Sequence, residues 1–203
     1  MFPLGTVLFP HAVLPLHVFE PRYRALTRAV LDGDQEFGVV LIERGSEVGG
    51  GDVRFGVGTI AHIVQASELA DGRFALAVVG VGRFRVERWL PDEPYPRAEI
   101  VALDGDDADA TRAAAAAALV DPVVATLREV YELYGRVHGV AAAAPSDFSP
   151  DPGQAAYEVA AAAALGPLDA QRVLESADTS ARLRVLQDLL ADHAALLRDQ
   201  LGS

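Results

Sequence analysis

The hydrophobic period of this 203-residue chain changes near Asp107, from about two to about 3.6. A period of two belongs to strands and one of 3.6 to helices, so the chain divides into a strand-rich part and a helical part. In the first, Val13–Phe19 and Glu36–Glu43 are short apolar runs bounded by Pro, Gly or Asp, as buried strands are. Val53–Gln65 and Phe74–Trp89 are longer and rich in Val, Ile and Phe. Their internal glycines (Gly56, Gly58, Gly80, Gly82) predict bulges or bends at barrel corners. Asp71-Gly72 between them is a hairpin-type turn, and Arg97–Leu103 reads as a further strand. One helix interrupts the series. Pro21–Leu31 carries Tyr23, Leu26 and Val30 at helical spacing, with Pro at its start and Gly33 past its end. The expectation for residues 1–106 is a small bent β-barrel with one inserted helix.

Residues 107–203 read as an α-helical bundle. Val120, Val123, Leu127, Val130, Tyr134 and Val137 form one apolar stripe; Leu183, Leu186, Leu190, Ala194, Leu197 and Leu201 form another. Asp121-Pro122 allows either a new helix start or a kink in a longer helix. Asp151-Pro152 is a start signal ahead of Ala155–Leu165, and Gly166-Pro167 ends that helix. Leu168–Ser176 and Ser180–Leu201 follow as a short and a long helix. Gly139–Pro152, rich in Ala, Pro, Ser and Asp, reads as a mobile loop, and Gly49-Gly50-Gly51 as a flexible hairpin tip. The fold class is therefore α+β.

Composition removes several functions. Net charge is −12 and acids outnumber bases 29 to 17, which opposes DNA binding through counterion release. There is no Cys, hence no thiolate nucleophile or thiolate metal site. All 17 basic residues are Arg, so neither a P-loop lysine nor a Ser–Lys catalytic pair can be assembled from this chain. The five His show no ligand spacing, and no Ser occupies a nucleophile elbow. No metal or cofactor is expected. Ala113–Val120 and Val159–Leu165 are too short to span a bilayer, and Met-Phe-Pro-Leu-Gly is no signal peptide. A cytoplasmic location without membrane association is the resulting expectation.

Several segments, in order, resemble the N-terminal (substrate-binding) domain family of Lon proteases. They are Phe2-Pro3-Leu4-Gly5-Thr6-Val7-Leu8-Phe9-Pro10, then Leu14-Pro15-Leu16-His17-Val18-Phe19-Glu20-Pro21-Arg22-Tyr23 and Phe37-Gly38-Val39-Val40-Leu41. Val57-Gly58-Thr59, Asp71-Gly72-Arg73-Phe74, Gly82-Arg83-Phe84-Arg85-Val86 and Pro94-Tyr95-Pro96-Arg97-Ala98 follow. Gln171-Arg172-Val173-Leu174-Glu175 and Ala181-Arg182-Leu183 extend the likeness into the helical part, although family members often carry Lys where Arg172 stands. The resemblance implies a PUA-like pseudo-barrel followed by a helical bundle, in a stand-alone module without ATPase or peptidase parts. Such a module would bind unfolded or exposed apolar protein segments without catalysis, as an adaptor in protein quality control. RNA binding by a PUA-like barrel and peptide hydrolysis are the alternatives.

Candidate partner-binding residues are Phe9, Pro10, Arg22, Tyr23, Arg24, Arg83 and Arg85. Each also has a purely structural explanation. Leu14, Leu16 and Val18 read as one strand face, with Phe19 packed in the barrel. Glu20, Arg22 and Arg24 read as local ion pairs, and Arg83 and Arg85 as solvated charge on either side of Phe84. An apolar surface near Phe9–Pro15, on the barrel or in a cleft between barrel and bundle, would supply the contact.

Overall fold

In the computed structural model, strand β1 (Phe2–Leu4) lies parallel to β3 (Glu36–Arg44), and every other strand pairing is antiparallel. With β2 (Val13–Val18), β4 (Val53–Glu68), β5 (Phe74–Leu90) and β6 (Arg97–Ala102), the sheet runs β1-β3-β4-β5-β2, and β6 pairs with the far end of β5. The structure describes residues 1–45, 47, 51–103 and 110–202. Gly49 and Gly50 of the expected glycine tip, and the expected change of period at Asp107, lie outside them.

The sheet curls because its glycines allow it. Between Ile60 and Ala61 the β4–β5 register shifts opposite Gly82 and Gly80, which leaves Val81 as the extra residue of a bulge. At Gly80 a Cβ would sit 2.3 Å from the Phe9 carbonyl oxygen, and at Gly58 one would sit 2.2 Å from that of Val39. No other residue permits such approaches. Phe2 and Leu4 from one end of the strand path and Val18 from the other therefore enter the same core. Helix α1 (Pro21–Leu31) closes it from within, starting at Pro21 and contributing Tyr23 and Leu26. The Asp71-Gly72 turn joins β4 to β5 as expected, with Gly72 at φ +76 and Leu69 N donating to Arg73 O at 2.8 Å.

The helical part comprises α2 (Ala110–His138), α3 (Pro152–Ala162), α4 (Pro167–Leu174) and α5 (Thr179–Gly202). Asp121-Pro122 does not start a helix: Pro122 lies inside α2 on an exposed turn, where a lost backbone hydrogen bond is tolerated. Asp151 caps α3 by accepting from Gln154 N at 2.8 Å. The α2 stripe is rotated from the expected one. Val123, Val124, Leu127, Val130 and Leu133 are buried, whereas Tyr134 faces outward. On α5, Leu183, Leu186, Leu190, Ala194 and Leu197 are buried as expected, and Leu201 is exposed. The expected loop before α3 is tied down, by Arg128 donating to Ser146 O and by Ser149 N donating to Glu158.

The fold is α+β. By internal contacts the chain forms two units, Met1–Asp104 and Gly105–Ser203. Among the described residues, no helix is long and apolar enough to cross a membrane.

Candidate functional site

The two terminal strands of the sheet path, β1 and β2, border a slot of about 150 Å³. Phe2 and Leu4 of β1 form one wall and Pro15, Leu16, His17 and Val18 of β2 the other. Tyr23, near the start of α1, completes the apolar lining, and the carboxylates of Glu20 and Glu47 stand beside it. Pro21 sets the direction of the helix start, and Tyr23 then stacks on Phe2 with ring centroids 4.3 Å apart and planes 12° apart. Arg22 lies over the same tyrosine, its guanidinium 4.4 Å from the ring centroid. It donates to Glu20 Oε2 at 3.1 Å and to the Glu47 carbonyl at 3.1 Å, which ties the residues around the slot together. Tyr23 is 3% exposed, yet its hydroxyl meets no hydrogen-bond partner among the described residues. An unsatisfied buried hydroxyl costs about 1–3 kcal/mol. Burial also pushes the Tyr23 phenol up to about 12, against the opposing pull of Arg22.

Outside the slot, β2 presents a second apolar surface. Val13, Pro15 and His17 alternate outward while Leu14, Leu16 and Val18 turn toward the core. Register places the outward residues opposite Val79, Ala77 and Ala75 of β5. Val13 is 66% exposed and Phe19 48% exposed. Phe19 is thus not a barrel core residue. Val18 points inward, so the next residue of an extended chain must point outward, and Phe19 stands at the slot beside His17, ring centroids 6.3 Å apart.

The candidate residues from the sequence fall in separate places. Arg22 and Tyr23 belong to the slot. Phe9 and Pro10 are buried in a splice against β5: Pro10 bridges Gly80, His11 N donates to Gly80 O at 2.7 Å, and Gly80 N to Ala12 O at 3.0 Å. Arg24 packs instead against the β4–β5 turn, its Nη2 occupying the position a Gly72 Cβ would need. Arg83 is 5% exposed, which corrects its reading as solvated charge; Arg85 is exposed. Arg83 and Thr59 are cross-strand partners on the side of the sheet that the Leu8–Pro10 segment covers, and Thr59 Oγ1 donates to Leu8 O at 2.6 Å. Glu47 and the exposed Phe19 were missed, while Val13 falls within the apolar Phe9–Pro15 stretch singled out from the sequence. The alternation through Pro15 pointed to Phe19; nothing local pointed to Glu47.

The Arg83–Trp89 stretch offers little to a nucleic-acid base. Arg54 covers Trp89 at 5.1 Å and is itself held by Asp52 and Asp92, while Arg88 is ion-paired with Glu99. Stacking platforms need free aromatic faces and uncommitted cations.

The substrate-binding domain model of ATP-dependent protease La (LON) matches residues 1–192. The chain belongs to the Lon substrate-binding domain family. It is 30% identical to Lon protease 2 of Myxococcus xanthus over 196 residues and 29% identical to Lon protease of Anaeromyxobacter dehalogenans over 196 residues. Each match covers 96% of this chain and 23% of the relative, so the chain spans about a quarter of those proteins. A crystal structure of a Lon N-terminal domain protein from Xanthomonas campestris superposes with a TM-score of 0.60 at 26% identity, covering 94% of this chain and 95% of that one. The N-terminal domain of Mycobacterium avium complex Lon protease shares the fold at a TM-score of 0.62 and 24% identity, covering 94% and 97%.

Within this Lon substrate-binding domain, β2 thus contributes to an apolar slot with acids beside it and carries exposed apolar residues on its outward face. Such a feature suits contact with apolar side chains. The Gly105–Ser203 unit has concavities of its own. One of about 590 Å³ is lined by Val124, Arg128, Phe148 and Pro150, and one of about 250 Å³ by Tyr131, Tyr134 and His193. In the second, Tyr131 already donates to Ala162 O at 2.8 Å. Among the described residues, no group of three or more His, Asp or Glu is placed to hold a metal ion.

Proposed function

We propose that this chain binds exposed apolar segments of other proteins without catalysis, and that the β1–β2 slot with the outward face of β2 is its contact surface. One observation carries the reading: Phe19 stands exposed at an apolar slot between β1 and β2, and Val13 is exposed on the outward face of β2. Apolar side chains left in water beside a preformed recess are what a binding surface requires and a purely structural edge does not. Membership of the Lon substrate-binding family supports recognition of protein substrates. The absence of Lys from the sequence supports a non-catalytic role, since neither a Ser–Lys pair nor a P-loop can be built from these residues. An adaptor role in protein quality control, in the cytoplasm, fits this reading.

The test is retention of denatured model proteins by the purified chain, compared with a Val13→Ser, Phe19→Ser double variant. Binding above that of an unrelated acidic protein, and weakened in the variant, is expected. Binding no tighter than that control removes the proposal. Turnover of unfolded casein with ATP, abolished by a point substitution in this chain, removes its non-catalytic part.

A further inference from the structure

We infer that the β1–β2 slot anchors a single large apolar or aromatic side chain, carried on an extended protein segment whose neighbouring residues are basic. The inference rests on the reading above and narrows it to one mode of binding and one charge preference.

Size and shape come first. About 150 Å³ walled by Phe2, Leu4, Leu16, Val18 and Tyr23 admits one bulky side chain and no folded element. Added-strand pairing along β2 is an unsuitable alternative. Its free edge carries Pro15, which offers no N–H to a ladder, as proline does where edges resist strand addition. Recognition therefore runs through an inserted side chain rather than through continuous main-chain hydrogen bonds.

Tyr23 supplies the second observation. Its ring lines the slot and is fixed by stacking on Phe2 and by the Arg22 guanidinium, so an inserted side chain meets an aromatic surface already held in place.

Charge sets the flanks. Glu20 and Glu47 are the acidic residues lining the slot. Arg22, which packs on Tyr23, offsets Glu20 by an ion pair, while the Glu47 carboxylate accepts from the Gly5 N–H, so the balance of charge beside the slot is negative among the described residues. Residues 1–104 hold 14 acids against 10 Arg, a net −4, within a chain of −12. Basic residues beside the anchor are attracted by this field and acidic ones repelled.

The experiment uses fluorescence anisotropy with the intact chain and short extended peptides. Each peptide carries one central Phe, flanked by Lys in one series and by Glu in the other. The Lys series is expected to bind roughly tenfold tighter at low salt, with the preference shrinking as salt rises. Replacing the central Phe by Ala abolishes binding. Leu16→Trp fills the slot and weakens the Lys peptide by roughly tenfold or more. Glu47→Gln reduces the difference between the series. A photoreactive benzophenone at the central position crosslinks to Phe2, Leu16 or Tyr23.

Equal affinity for the two series overturns the inference, as does a crosslink mapped away from the slot. Unchanged affinity in a folded Leu16→Trp protein does the same. Should Leu16→Trp fail to fold, the crosslink and the comparison of the two peptide series decide the question. If neither peptide binds while denatured proteins still do, the anchor-pocket inference falls alone. If denatured proteins also fail to bind, the proposed function falls with it.

Discussion

An arginine lies over a tyrosine ring in each unit of the molecule, at 4.4 Å for Arg22 on Tyr23 and at 4.2 Å for Arg182 on Tyr157. The surroundings of the two pairs differ. Arg182 is 1% exposed, among the apolar faces of the helices, and donates to Thr179 Oγ1 at 3.3 Å. Burying a guanidinium is tolerable only where its donors and its flat face are matched. Arg22 instead lies over a tyrosine that lines a slot, is paired with Glu20, and the tyrosine hydroxyl meets no acceptor among the described residues. The helical pair closes a core; the sheet pair borders an opening. The same contact thus serves stability in one place and borders a recess in the other, and the difference lies in whether the pair is enclosed by packed helices or stands beside an opening.

Breaking the closed pair has the largest effect. Arg182→Ala removes a fully buried side chain and uncovers the Tyr157 face. It is expected to cost about 3–5 kcal/mol, read as a lower urea midpoint. Its effect on peptide affinity in the fraction that remains folded is expected to be small; a large loss there would merge the two roles.

Alkali acts on the open pair. The folded Tyr23 phenol titrates near 12 instead of 10, so between these values the unfolded chain releases this proton and the folded chain keeps it. This group leaves stability unchanged with pH below 10, and stability falls as pH rises from 10 toward 12, by on the order of 2–3 kcal/mol, because only the unfolded chain ionises readily there. Denaturation curves across that window in wild type and Tyr23→Phe check the sign: the variant is expected to show the shallower fall.

At neutral pH, Tyr23→Phe tests whether the hydroxyl is structural. Removing a buried hydroxyl that meets no hydrogen-bond partner among the described residues leaves the fold as stable as before, or more stable by up to ~1 kcal/mol, with peptide affinity retained because the ring still lines the slot. A marked loss of stability in this variant would show the hydroxyl to be structural. The smallest expected effect on the fold is that of Phe19→Ser. An exposed side chain contributes within about 0.5 kcal/mol, so the urea midpoint should hardly move while binding of denatured protein weakens.

Much of this was legible in the chain itself. Pro21 and the spacing of Tyr23, Leu26 and Val30 define α1 from end to end, because helix starts and apolar periodicity are local signals. Gly80 and Gly82 announced a bulge, and Asp71-Gly72 a turn, since both depend on backbone conformations that few residues adopt. The ordered segments of the family resemblance led to the fold class and to the family. Phe19 was misplaced because an apolar aromatic next to an apolar strand invites burial, although strict alternation after Val18 turns it outward.

What remained belongs to tertiary structure. Asp121-Pro122 carries a start signal and a kink signal together, and α2 runs through it because the turn bearing Pro122 faces away from the packed side of the helix. Arg83 reads as surface charge in any local window, but pairing with β4 and cover from the Leu8–Pro10 segment bury it. Above all, the slot exists because β1 and β2, neighbours in sequence, end at opposite ends of the strand path and are brought back toward each other by the curl of the sheet. Local patterning sets which face of each strand is apolar. Which edges are left without partners is decided by long-range pairing, where one strand's gain depends on all the others.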